Sequence, residues 1–140
     1  MLSPRTMFRA LLLAFLTLAL ALPALAGGKL PDLTGTWQGK VEIHRADKGF
    51  QTNSNHLQFV IKEQQGHVFH GVKTWTDVAG GKYSEPFSGI ISVDGEDIYV
   101  VEHSDGHMTG EVESKDRIYL YYLEGGESPK AIFYELDRVK

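Results

Sequence analysis

Lys73, Trp75, Phe87, Glu102 and Tyr122 are the residues of this sequence that could together build a binding site. They bring one amine, one carboxylate, one phenol and a large aromatic surface. An apolar pocket with a few polar handles is the usual makeup of a small-molecule site. Lys73 is the most informative of the five. A buried ammonium is very costly when isolated, so it requires a carboxylate partner or an anionic ligand. Glu102 supplies that partner if its strand turns it inward, and in a cleft the same carboxyl could act as a base with a raised pKa.

Six histidines invite a metal reading. His67 and His70 are an odd number of residues apart, so on a strand their rings face opposite sides and cannot share an ion. His103 and His107 flank one short turn, and His44 and His56 lie on adjoining segments. A two-histidine surface site for zinc or copper is the arrangement available to them. No carboxylate–histidine motif of metal-binding spacing accompanies them, so they read as exposed histidines at loop ends and no metal is assigned. Gly-x-Ser-x-Gly, P-loop and His-Glu-x-x-His patterns are all missing. Many carboxylates, among them Asp94, Glu96, Asp105 and Asp116, fall in turn clusters, where they are ordinary turn residues. With no cysteine there is no thiol chemistry. No cofactor is implied.

The elements that must position these groups are strands. From Leu33 onward, apolar and polar residues alternate in short runs, with no sustained helical period. Eight runs result: Gly35–Arg45, His56–Glu63, His67–Thr76, Pro86–Val93, Asp97–His103, His107–Glu113, Arg117–Leu123 and Lys130–Arg138. Most of their separators carry Gly beside Asp, Asn, Gln or Ser, which is hairpin chemistry. Strands joined by short links pair with their sequence neighbours, and closing the sheet removes both open edges. The expected fold is all-β, an eight-stranded antiparallel up-and-down (meander) barrel.

Link lengths orient it. Links 64–66, 94–96 and 114–116 are tight and fall at one end, whereas 46–55, 77–85 and 124–129 are longer and frame the other, where only link 104–106 is tight. Trp37 and Arg138 then meet at the closed base. Parity turns Val41, Ile43, Leu57, Phe59, Ile61, Phe69, Lys73 and Trp75 inward with Trp37. The same rule turns in Phe87, Ile91, Met108, Val112, Ile118, Leu120, Tyr122, Ile132, Tyr134 and Leu136. The run Asp97–His103 is ambiguous, since Ile98, Val100 and Glu102 compete with Tyr99, Val101 and His103. The mouth-side inward set is Ile43, Lys73, Trp75, Phe87, Tyr122 and Ile132.

The N-terminus has a different character. Arg5 and Arg9 precede an apolar run from Ala10 to Leu22, and Ala24-Leu25-Ala26 gives a small-residue cleavage pattern before Gly27. That is signal-peptide architecture over residues 1–26, and the apolar run is short for a membrane span. Residues 27–32 then form an arm and 33–140 a single barrel domain. Cleavage would remove two arginines and no acid, taking the formal charge from −4 to −6. A mildly acidic domain without a basic cluster excludes nucleic acid as a partner. Export without disulfides suits a periplasmic or secreted bacterial protein, with no lipid-carrying cysteine and no membrane anchor after cleavage.

Leu33-Thr34-Gly35-Thr36-Trp37, followed by eight strands and closed by Leu136-Asp137-Arg138, resembles the calycin superfamily of lipocalins, fatty-acid-binding proteins and avidins. The resemblance covers the whole mature chain. It implies a barrel whose Gly-x-Trp tryptophan, here Trp37, packs beside a basic residue of the last strand, here Arg138, at the closed end. It also implies that ligand enters at the open end. The phrase is most similar to that of avidin, but Gln38-Gly39-Lys40-Val41-Glu42 replaces the polar residues with which avidins grip biotin.

The reading is an exported, non-enzymatic protein that holds a small apolar or amphipathic ligand in the barrel mouth. Lys73, Trp75, Phe87, Glu102 and Tyr122 would line that site. Two alternatives stand beside it. A solid barrel would bind a protein partner through loops 46–55 and 77–85 or an outer face. A small barrel enzyme of cyclase or isomerase type would use the cavity for catalysis. A cavity on the order of 300 Å³ lined by Trp75 and Tyr122 favours the first reading. A filled barrel with an exposed apolar patch favours the second, and a buried Glu102 or His103 with a strongly perturbed pKa the third.

Overall fold

The computed structural model describes residues 29–52, 56–77, 79–104 and 106–140; the expected signal sequence at 1–26 and the first two residues of the arm lie outside them. Among the described residues nine strands follow one another: β1 (Gly35–Arg45), β2 (Gly49–Thr52), β3 (Gln58–Gln65), β4 (Val68–Thr76), β5 (Lys82–Ile91), β6 (Asp97–Glu102), β7 (His107–Ser114), β8 (Arg117–Glu124) and β9 (Lys130–Arg138). Eight of them, all but β2, form a closed antiparallel barrel in which each strand pairs with the next. Closure comes from β1 against β9, in register from Trp37↔Arg138 to Arg45↔Lys130.

Two segments differ from the sequence expectation. Gly49–Thr52, expected within a loop, folds back on the upper half of β1 from Glu42↔Thr52 to Arg45↔Gly49. β3 therefore pairs with β1 only over Gly35–Gln38, at the lower end. The expected loop 77–85 is shorter, because β5 begins at Lys82 and pairs with β4 up to Thr76, so that 82–85 are strand. Asp77 makes the turn tight: its Oδ1 accepts from the Ala79 and Gly81 amides at 2.9 and 2.8 Å, and Tyr83 donates to Oδ2 at 3.0 Å. A side-chain acceptor that mimics a backbone turn is what aspartate does best.

The alternation places the core where parity puts it. On β6, Ile98 and Val100 are 1% and 4% exposed, while Tyr99 and Val101 are 45% and 55% exposed. That decides the ambiguous strand and turns Glu102 inward with them. The lower half of the barrel is packed solid, with about 10 Å³ of void among Phe59, Phe69, Phe87, Ile98, Ile118 and Leu120. Glycine makes part of this packing possible. A Cβ on Gly71 would stand 2.7 Å from the Phe87 ring, so the ring lies directly over its cross-strand partner.

The base is closed by Trp37 and the arm. Trp37 is fully buried and donates through Nε1 to the Leu33 carbonyl at 2.9 Å. The Arg138 guanidinium carbon lies 4.2 Å from the indole centroid. Arg138 also donates to the Asp32 carbonyl at 2.7 Å, the Lys115 carbonyl at 2.9 Å and the Thr34 carbonyl. A planar fork of donors stacked on an aromatic face suits arginine and not lysine. Gln64 completes the seal, accepting from the Leu33 amide at 2.8 Å and donating to the Pro31 carbonyl at 2.9 Å.

Candidate functional site

Above the solid half the barrel opens into a cavity of about 330 Å³. Its apolar wall is Val41 and Ile43 of β1, Leu57 just before β3, Trp75 of β4 and Ile132 of β9, with Tyr134 below. The polar groups are three cations, Arg45, Lys73 and Lys130, and three carboxylates, Glu85, Glu102 and Glu124, with Ser104 and the Tyr122 phenol.

Lys73 and Glu102 are in direct contact, with side chains 7% and 6% exposed. They reach each other diagonally across β5. Lys73 is in register with Glu85, and Glu102 with Phe87 two residues further along β5. Burial draws the Lys73 amine below the ordinary lysine range, against the pull of Glu102. The same burial pushes the Glu102 carboxyl up, against the pull of Lys73. Both shifts favour neutral forms, as desolvation requires. The Lys73 Nζ also lies 4.7 Å from the Trp75 ring centroid and 5.5 Å from that of Tyr122, within cation–π range of both.

A second polar group sits toward the rim. Lys130 Nζ is 2.7 Å from a Glu124 carboxylate oxygen, to which the Tyr122 hydroxyl also donates. The Lys130 and Tyr122 bonds hold the Glu124 carboxyl below its usual range. Burial, with that bond to Glu124 and the nearby Glu102 charge, pushes the Tyr122 phenol well above the usual tyrosine range. Gly106 makes room for this phenol. Its φ is +93°, and a Cβ there would stand 2.2 Å from the Tyr122 hydroxyl oxygen. On the opposite wall Glu85 accepts from the Ser104 amide and hydroxyl, both at 2.9 Å. Burial opposes ionisation of Glu85, yet these bonds and Lys73 hold its carboxyl below the ordinary value.

Lys73, Trp75, Glu102 and Tyr122 therefore converge on one cavity with Ile43 and Ile132. Phe87 does not line it. It is 1% exposed in the solid half, against Phe59 and Phe69 at centroid distances of 5.8 and 6.4 Å. The cause is the longer β5, which places Glu85 and Tyr83 above Phe87; Tyr83 stacks on Trp75 at 5.3 Å. Sequence reasoning missed Glu85, Ser104, Glu124, Lys130 and Arg45. Inward parity on an extended β5 would have found Glu85; the others end strands or sit in turns, where polar residues carry no facing signal.

Three of the histidines contact other groups. His103 Nε2 is 3.1 Å from the Ser88 hydroxyl, and His67 Nδ1 is 3.0 Å from the Ile91 carbonyl. His44 packs on Phe50 at 4.7 Å. Among the described residues no group of three or more His, Asp or Glu is placed to hold a metal ion.

Small β-barrels of known structure share this fold. A redesigned β-barrel superposes with a TM-score of 0.55 over 77% of this chain and 92% of its own, at 17% identity. The protein EF1p2_mFAP2b, solved bound to DFHBI, superposes with a TM-score of 0.56 over 76% and 94%, at 14% identity. No protein-family model and no curated protein matches the sequence.

Proposed function

We propose that this chain is an exported, calycin-like binding protein that holds a small apolar or amphipathic molecule in the upper half of its barrel. The observation that carries the reading is the asymmetry of the interior: about 10 Å³ of void below and about 330 Å³ above. A barrel with no ligand to hold could pack both halves alike, as small eight-stranded barrels do. The cavity size falls in the range of small-molecule sites, and its apolar wall faces charged and phenolic groups able to fix a ligand's polar end. EF1p2_mFAP2b, similar in fold, is a protein solved with a small molecule bound, which is compatible with this use of the barrel. The balanced charges of the rim suit an amphipathic ligand, whose body lies on Ile43, Trp75 and Ile132 and whose polar end meets Arg45 or Lys130.

Export rests on the sequence of residues 1–26. Fractionation of the host, with N-terminal sequencing of the protein, tests it: a mature chain beginning near Gly27 outside the cytoplasm supports export, and an intact N-terminus in the cytoplasm refutes it. Native mass spectrometry of protein purified from its own compartment tests the binding reading. A co-purifying small molecule supports it; a stoichiometric protein partner on an empty barrel opposes it.

One observation favours a second reading, a protein-binding outer face. Leu123, Ala131, His44 and Phe50 form one cross-strand row, in which Phe50 is 89% and Leu123 59% exposed. Phe133 stacks beside it on Tyr119 at 5.9 Å. Exposed apolar rows of this kind mark contact surfaces, and loss of a partner in a Phe50→Ser variant would support this use.

A further inference from the structure

We propose that Lys73 captures apolar carbonyl compounds, aldehydes above all, as a reversible imine inside the barrel; this rests on the small-ligand reading of the same cavity. The amine is one of the lining groups of the cavity and the carboxylate of Glu102 touches it. Trp75 and Tyr122 flank it at 4.7 and 5.5 Å, and Val41, Ile43 and Ile132 offer space for a hydrocarbon body. Burial supports the chemistry by drawing the Lys73 amine below the lysine range. A lysine desolvated in an apolar pocket is the kind that condenses with carbonyls, since its free amine is the nucleophile.

The step balances within the site. The Lys73 ammonium passes a proton to Glu102, and the freed Nζ lone pair attacks the carbonyl carbon to form a C–N bond. A proton moves from nitrogen to the former carbonyl oxygen, giving a neutral carbinolamine. Glu102 returns its proton to that hydroxyl, the C–O bond breaks and water leaves. The product is a protonated imine on Lys73 beside an ionised Glu102. One cation and one carboxylate remain, so the charge balance of the buried pair is the same before and after. Glu85, Glu124, Lys130 and the Tyr122 and Tyr134 phenols share the cavity and are not consumed.

The test uses the full chain with cinnamaldehyde and cyanoborohydride near neutral pH, followed by peptide mapping. The expected result is one dominant adduct on Lys73, heavier by the aldehyde less one oxygen, formed before any exposed lysine reacts. A Lys73→Met/Glu102→Gln variant, which removes both charges of the buried pair together, should lose that adduct while keeping the fold by circular dichroism. Glu102→Gln alone should keep the adduct but shift the pH profile of its formation, a readout that a purely structural role would not move. Cinnamyl alcohol, followed by Trp75 fluorescence, reports non-covalent binding separately. Saturable binding of the alcohol with adducts scattered over surface lysines overturns the imine inference and leaves the binding reading standing. Binding of neither compound overturns both.

Discussion

The Lys73 ammonium meets the Glu102 carboxylate inside the barrel, at the boundary between its solid and open halves. Neither residue is adjacent in register to the other, so the contact depends on the barrel's curvature across β5. Removing one partner leaves a desolvated charge. Lys73→Met and Glu102→Gln should each destabilise by about 3 kcal/mol, the low end for a buried pair because the cavity opens to solvent. The double variant should recover most of that loss. Urea unfolding of the three variants and the parent, read as a double-mutant cycle, checks it; additive losses would show that the pair is not coupled.

The pH dependence follows from the same pair. The folded Glu102 carboxyl titrates above its unfolded value of 4.5. The native state therefore takes up this proton first, and its contribution to stability grows as pH falls through the folded pKa toward 4.5. Asp32, Asp77 and Glu124 titrate below their ordinary values in the folded state. Their contribution is present above the unfolded pKa and is lost as pH falls through the folded ones. Urea midpoints should thus hold or rise on mild acidification and fall on stronger acidification. Glu102→Gln should abolish the first phase and keep the second.

At the base, Trp37→Ala should cost about 3–5 kcal/mol, the range for deleting a large buried aromatic. Arg138→Met should cost about 2–4 kcal/mol, from lost cation–π contact and orphaned carbonyls of Asp32, Thr34 and Lys115. Neither should change ligand affinity in protein that remains folded, because both residues lie at the opposite end from the cavity. Chemical unfolding and a probe titration on the same samples separate the two effects.

Gly106→Ala tests the rim. The substitution strains a backbone at φ +93° and pushes a methyl group into the Tyr122 hydroxyl. A loss of about 1 kcal/mol or more is expected. Tyr122 must also move off Glu124, so the change should weaken ligand binding more than a distant turn variant such as Gly66→Ala. Thermal unfolding and binding measured together distinguish a local strain from a displaced phenol.

Lys73, Trp75 and Tyr122 were legible in the sequence because a strand with one buried face alternates, and Trp37 anchors the phase of that alternation. Glu102 was legible only as one of two parities, since Ile98-Tyr99-Val100-Val101 is apolar throughout. Phe87 was misplaced for a physical reason. The top of the β4–β5 hairpin stands above the barrel with little core to face, so Lys82–Glu85 shows no hydrophobic period and reads as loop. The short β2 carries no readable signal for the same reason, with the Phe50 side chain in solvent. The size of the cavity was not legible at all, because it depends on how Val41, Leu57 and Tyr134 pack across strands far apart in sequence.

The most direct measurement is a titration of the chain with anilinonaphthalene sulfonate, an amphipathic fluorescent anion, in parallel with an Ile132→Trp variant that places a bulky ring in the cavity without touching the base. The predicted result is saturable one-to-one binding by the parent, weakened in Ile132→Trp protein that remains folded. Absent saturable binding by the parent, or equal binding by that variant, would contradict a ligand site in the open half of the barrel.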